Sequence, residues 1–211
     1  MSDGVKRRYN STRRREQARE NQRRILRAAC ELFIERGYGQ TMISDVAEAA
    51  GVAVETVYAA FRNKATLLHR AWDVTVGGDD EEVLVHERPE LRTVLEEPDL
   101  VVRLRRFAVV NTAIMRRTAG LHLAVRGAAA SEPAAAAMLE EIDRQRLAAM
   151  GVHARAARAT GQLAVSFEEC RDVLWTTTDG SLWHRLVRQR GWSDKRYAAW
   201  LGQLWVALLV T

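Results

Sequence analysis

Cysteine and proline are scarce in this chain of 211 residues: there are two of the first, Cys30 and Cys170, and three of the second. Two separated thiols supply neither a disulfide framework nor a CxxC metal pattern. Both lie in apolar helical contexts and are expected to be buried structural thiols of a reducing compartment. The longest apolar run, Leu204–Val210, is far too short to cross a bilayer. The Arg-rich N-terminus lacks the apolar stretch of a signal peptide. A soluble, cytoplasmic protein with no membrane partner is therefore expected. The five histidines (His69, His86, His122, His153, His184) show no HExxH or other metal spacing, and neither a GxSxG elbow nor a Gly-rich phosphate loop occurs. His122 and Arg126 stand one helical turn apart, as do His69 and Asp73, but such pairs are common on solvated helix faces. No catalytic residue, metal site or cofactor is expected, and an enzyme is disfavoured.

Apolar residues make up 47% of the chain and charged residues 28%, an ordinary globular balance that argues against disorder. The net charge is +5, but residues 1–27 alone carry ten basic side chains against Asp3, Glu16 and Glu20. That segment is +7, which leaves −2 for the rest. A basic arm on a nearly neutral body points to a polyanionic partner. Charge alone leaves DNA, RNA, anionic lipid and a merely solvated tail all open.

The remaining pattern is helical. Ala, Leu, Arg and Glu dominate, and no stretch sustains the period-2 alternation of a strand. The periodicity predicts an all-α protein of about nine helices. Residues 1–11, with Lys6, Arg7 and Arg8, form a mobile basic arm. A first helix follows to about Arg36, inward through Ile25, Ala28, Ala29, Leu32 and Phe33, and Gly37 ends it. Thr41 is a candidate N-cap for a short helix carrying Ile43, Val46, Ala47 and Ala50 at i, i+3, i+4 and i+7. Gly51 supplies a turn, and a second short helix spans roughly Ala53 to Phe61. Asn63 caps a longer helix that runs out near Gly77-Gly78 and the acidic stretch Asp79–Glu82. The expected domains are thus residues 12–76 and 77–211. In the second, Ser131 before Pro133 opens one helix and Gly161 closes it. Ser166-x-x-Glu169 is a capping box for the next, about Ser166–Arg190, and Ser193 starts the last.

Two short helices across a tight glycine turn form a helix-turn-helix, in which the first helix braces and the second enters the DNA major groove. The residues themselves carry more. The run Gly37-Tyr38-x-x-Thr41-x-x-x-Asp45-Val46-Ala47-x-x-Ala50-Gly51-Val52, then Thr56-Val57-Tyr58-x-x-Phe61-x-Asn63-Lys64-x-x-Leu67-Leu68, resembles the TetR family of regulators over the first third of the chain. The resemblance implies phosphate contacts from Thr41, Tyr58 and Lys64, and base edges facing Val54, Glu55, Thr56, Ala59 and Ala60. Phosphate contacts position the domain and base contacts specify the sequence. Two departures stand out. The family often has Ser where Ala53 stands, so the second helix lacks a side-chain cap, at a cost of about 1 kcal/mol. Ala60 replaces a frequent aromatic or His. Val54, Ala59 and Ala60 can meet thymine methyls but make no bidentate hydrogen bonds, so direct readout is thin.

The resemblance also implies a second domain that dimerises through its last two helices and encloses a small-molecule pocket. Five of the six tryptophans fall in those helices and the turn between them, and the last helix is apolar on more than one face. A helix apolar on two faces must bury both, against a partner subunit or inside its own domain. The expected dimer residues are Trp183, Leu201, Leu204, Trp205 and Leu208. For the pocket, Asn111 interrupts an inward stripe that includes Met115, and Thr178 and Asp179 sit mid-helix beside Trp175. A buried polar group needs a partner, either a ligand or protein. The chain is thus expected to be a homodimeric repressor released from a palindromic DNA operator by a small molecule. A nonspecific nucleoid-type or RNA-binding protein would account for the arm but not for the ordered motif around Gly51.

Overall fold

A computed structural model describes residues 3–77 and 89–210, with side chains from residue 14 onward. Ten α-helices follow one another in these described residues: α1 Asp3–Arg36, α2 Ile43–Ala50, α3 Val54–Phe61, α4 Lys64–Gly77, α5 Pro89–Glu96, α6 Leu100–Ala128, α7 Pro133–Ala159, α8 Phe167–Thr177, α9 Ser181–Trp183 and α10 Asp194–Leu209. A π-helical stretch, His184–Gln189, continues α9. Among the described residues the only β pairing is an isolated bridge between Leu163 and Val210. The all-α expectation is met. The count is ten rather than about nine; α5 is an element that the periodicity does not predict, and the helix expected over about Ser166–Arg190 is divided into α8, α9 and the π stretch.

The backbone of α1 is helical from Asp3, well before the boundary near Ser11 read from the sequence. The side chains of Lys6, Arg7 and Arg8 lie outside the described residues, as does the acidic stretch where the domain boundary was set. The chain divides into two compact units, Met1–Asp73 and Val74–Thr211.

In the first unit α1 lays Ile25, Ala29, Leu32 and Phe33 inward, the i, i+4, i+7, i+8 stripe of an amphipathic helix. Val46, Val57, Phe61, Leu67 and Leu68 close the same core. In the second unit Phe107 of α6 stacks between His153 of α7 at 3.8 Å and Trp205 of α10 at 5.1 Å. Leu104, Ala108, Ala154, Leu174 and Leu201 fill in around them.

The break after α8 has a local cause. Gly180 adopts φ +82°, and a Cβ there would lie 3.0 Å from the Ala119 Cβ. Only glycine meets both demands without strain. The Asp179 carboxylate then accepts from the Ser181 N–H at 2.9 Å and its hydroxyl at 2.8 Å, capping α9. Several expected caps are in place. Asn63 accepts from Thr66 N–H at 2.8 Å, Ser166 from Glu169 N–H at 3.1 Å and Ser193 from Arg196 N–H at 3.2 Å. The cap of α7 is Glu132 rather than Ser131, with Pro133 in its first turn.

Candidate nucleic-acid interface

The first unit builds one surface from α2, the turn and α3. Ile43, Val46, Ala47 and Ala50 are buried, so α2 is held against the core along one stripe. Its N-cap is Met42, not Thr41: the Asp45 carboxylate accepts from the Met42 N–H at 2.9 Å and satisfies one orphan donor of the first turn. Gly51 ends α2 in the left-handed region at φ 61°, ψ 44°, and its N–H returns to the Glu48 carbonyl at 3.0 Å. The Arg24 guanidinium of α1 donates to the Ala50 carbonyl and, at 3.1 Å, to the Gly51 carbonyl. A cation is thus placed on the carbonyl end of α2, where the helix dipole favours it. A Cβ on Gly51 would come within 2.7 Å of the Arg24 Nη2. Arg24 was not singled out by the sequence, in which it is one arginine among ten basic residues of the N-terminal segment.

Helix α3 is anchored by Val57 and Phe61 and turns its other face outward. Glu55, Tyr58 and Ala59 are exposed, while Val54, Thr56 and Ala60 are half-buried. Tyr58, the largest of these, is 50% exposed. The N-cap residue Ala53 makes no side-chain bond, as the sequence required. Arg62, at φ 60°, closes α3 with its N–H on the Tyr58 carbonyl at 2.8 Å. The Lys64 ammonium donates to the Gly39 carbonyl at 3.3 Å and lies 4.2 Å from the Tyr38 ring centroid, fixing the lysine at the start of α4. Arg14, Arg15, Arg19, Arg23 and Arg27 are exposed along α1.

Thr41 does something other than expected. It is 1% exposed, and its hydroxyl proton is shared between the Gly37 carbonyl at 2.9 Å and the Leu32 carbonyl at 3.2 Å. The side chain ties the start of α2 to the end of α1 and presents no surface. The other seven residues expected to contact DNA lie on α3 and at the start of α4.

In the second unit, the residues expected around a pocket fall into two groups. Trp175 donates its indole N–H to the Asp143 carbonyl at 3.2 Å, with Arg146 over its ring. Thr178 donates to the Leu174 carbonyl at 2.8 Å. Burial works against the Asp179 charge, but the Ser181 N–H and hydroxyl, with Arg126 and Arg146, outweigh it and hold the carboxyl below its usual range. These three polar groups are occupied by protein partners. Asn111, 3% exposed, has an Nδ2 with no partner, and so does the hydroxyl of Tyr197, a residue not read as a pocket residue from the sequence. Burial, with a smaller effect of Asp179, pushes the Tyr197 phenol above its ordinary pKa. Met115 is buried, and its sulfur lies 3.6 Å from where a Gly180 Cβ would stand.

The expected dimer residues need correction. Trp183, Leu201 and Trp205 are 5%, 0% and 0% exposed within the single chain. The two tryptophan N–H groups bond Asp194 and Thr177, each at 2.8 Å. These three side chains are buried within the chain's own core, so two-sided apolarity did not require a partner at them. Leu204 is half-buried and Leu208 is 48% exposed.

Among the described residues no helix is long and apolar enough to cross a membrane, and no group of His, Cys, Asp or Glu could hold a metal ion. Residues 25–71 match the family model for bacterial regulatory proteins of the tetR family. The chain is 39% identical over 61 residues to the HTH-type transcriptional regulator TtgR of Pseudomonas putida. That match spans 29% of this chain and 29% of the relative. The whole fold is similar to a protein from Rhodococcus sp. described as a TetR-family transcriptional regulator. The TM-score is 0.69 at 19% identity, covering 90% of this chain and 98% of the other. It is also similar to the fatty acid degradation regulator FadR of Bacillus halodurans, with a TM-score of 0.66 at 19% identity over 87% of this chain and 93% of that one. Residues 25–71 therefore carry the similarity to the tetR family of bacterial regulatory proteins, and the chain as a whole shares the fold of these solved structures.

Proposed function

We propose that this protein is a cytoplasmic, homodimeric transcriptional regulator without enzymatic activity, which binds a palindromic DNA operator and acts as a repressor. The observation that carries the reading is the surface around Gly51: a braced α2, a left-handed turn clamped by Arg24, and an α3 whose Glu55, Tyr58 and Ala59 face outward. A helix so presented fits the major groove. Val54, Ala59 and Ala60 would meet thymine methyls, Glu55 a cytosine amino group, and Thr56 a base edge. Tyr58 and Lys64 would hold phosphates, with the arm residues Lys6, Arg7 and Arg8 adding phosphate or minor-groove contacts. Thr41 would act indirectly, by fixing α2.

Release by a small molecule is the second part of the proposal. Asn111 and Tyr197 support it: their amide nitrogen and hydroxyl are among the buried polar atoms of the described residues that have no hydrogen-bond partner, and buried polar groups are normally paired. A ligand offering an acceptor oxygen would pair either of them. Binding would then shift a two-state equilibrium toward a form that misfits the operator. Selection of bound fragments from total genomic DNA tests the regulator reading. Recovery of one two-fold symmetric sequence supports it, whereas uniform recovery of all fragments would leave a nonspecific nucleic-acid binder.

A further inference from the structure

The corner between α3 and α4 is tight and fixed at both ends. Phe61 closes α3 in the core and Leu67 of α4 is fully buried. Between them the Arg62 N–H donates to the Tyr58 carbonyl at 2.8 Å and the Asn63 N–H to the Phe61 carbonyl at 2.6 Å. The Asn63 side chain then caps α4. A bond from one residue to the second before it, across a residue at φ 60°, ψ −49°, is a γ-turn of the rare, strained form. Among the described residues Arg62 is the only one other than glycine with positive φ. Glycine adopts such a backbone freely, whereas a Cβ is strained in it. The anchors and the cap hold the corner whichever residue occupies it. Stability alone therefore favours glycine at position 62, yet the sequence has arginine.

Charge gives that arginine a use. Over residues 37–63, which hold α2, the turn and α3, Arg62 is the one basic residue against Asp45, Glu48 and Glu55, a balance of −2. Glu48 and Glu55 are exposed, so this face by itself repels phosphate. Lys64, two residues on, is already engaged by the Gly39 carbonyl and the Tyr38 ring. Arg62 is exposed. The ion pairs of this unit among the described residues are Arg23–Glu20, Arg36–Asp45 and Arg70–Asp73, and Arg62 is in none of them. We infer that Arg62 binds a DNA backbone phosphate at the end of α3, and that the strained corner is retained because it stands the only cation of this face beside the outward residues of α3. A planar guanidinium can meet two phosphate oxygens at once. The inference rests on the reading of α3 as the DNA-facing helix and adds a contact that the family resemblance does not assign.

The test compares Arg62→Ala, Arg62→Gly and Arg62→Lys in the full-length chain. Urea unfolding gives stability. Fluorescence anisotropy over a salt series gives affinity for the palindrome recovered from genomic selection and for a scrambled duplex of equal length. Arg62→Ala and Arg62→Gly should each weaken binding to both duplexes by about tenfold or more at physiological salt. Each should also reduce the slope of log affinity against log salt by about 1 per bound chain. Arg62→Lys keeps the charge and should restore that slope. Arg62→Gly alone relieves the turn, so it should unfold at a higher urea concentration than Arg62→Ala or the natural chain. A glycine variant that is more stable yet binds DNA less well separates a contact from a structural role, in which stability and affinity would fall together. Unchanged affinity and slope in the alanine and glycine variants overturn the contact, as does a slope still reduced in Arg62→Lys. A glycine variant no more stable than the alanine variant overturns the strain. If selection recovers no symmetric sequence, the regulator reading falls, while the scrambled duplex still decides the role of Arg62.

Discussion

Replacing Gly51 with Ala probes the turn through two separable effects. At φ 61°, ψ 44° the residue is in the left-handed region, where a Cβ costs about 1–2 kcal/mol. The added Cβ would also stand 2.7 Å from the Arg24 Nη2. The guanidinium must then withdraw from the Ala50 and Gly51 carbonyls. These are charge-assisted bonds at the protein surface, and their loss is worth about 1 kcal/mol. Gly51→Ala should therefore cost about 2–3 kcal/mol in the unfolding transition of the first unit, and operator affinity should fall with it. Arg24→Ala alone should cost about 1 kcal/mol. In an Arg24→Ala background, Gly51→Ala loses its clash and should cost only the backbone part, so the double-mutant cycle should show a coupling of about 1 kcal/mol. Urea unfolding of the four proteins, followed by helical signal, gives the cycle. Strict additivity would refute the clamp, because it would mean that Arg24 does not occupy the space above Gly51.

Lys64→Ala should weaken binding to all DNA sequences and reduce the slope of log affinity against log salt by about 1, as one lost phosphate contact does. An unchanged slope with altered sequence preference would assign the lysine to base readout. Leu201→Glu should unfold the second unit, since it forces a charge into a fully buried site at a cost of several kcal/mol. Leu208→Glu, at a residue 48% exposed, should leave a folded chain with weakened self-association, and the reverse pattern would contradict the assignment of core and surface. His153 is held to a pKa of about 4 by burial, with Arg103 adding to the effect. The unfolded chain therefore binds a proton below its ordinary value near 6.5 that the folded chain refuses. Stability is fully present above that value and declines as pH falls toward about 4, by on the order of 3 kcal/mol. His153→Gln should flatten this part of the stability profile, and an equal decline in both proteins would place its origin elsewhere.

The two short helices were legible because their inward positions are apolar at helical spacing and Gly51 marks the turn between them. Thr41 was misread for a chemical reason. A threonine just before a helix can cap it or send its hydroxyl back to earlier carbonyls, and sequence does not separate the two. The misassigned Leu201 and Trp205 have a different cause. Two-sided apolarity shows that both faces of α10 are covered, but not whether α6 and α8 or another chain covers them. Helix α5 is hard to read although Pro89 at its first position is a start signal, because its inward side is only Leu91 and Val94 among charged neighbours and no glycine marks its end. The break at Gly180 was available in principle, since Asp-Gly is a turn signal; the capping box upstream and the tryptophans downstream favoured a continuous helix. Neither the Arg24 clamp nor the unpaired Tyr197 hydroxyl leaves a trace in spacing. Both depend on contacts between distant segments.

The central claim is that the surface around Gly51 reads DNA sequence as part of a dimer. The most direct measurement titrates the protein, at physiological salt, onto the palindrome recovered from genomic selection and onto a scrambled duplex of equal length. The account predicts two chains per palindrome, with the palindrome bound about 1,000-fold or more tighter than the scrambled duplex. Equal affinity for the two duplexes would contradict it.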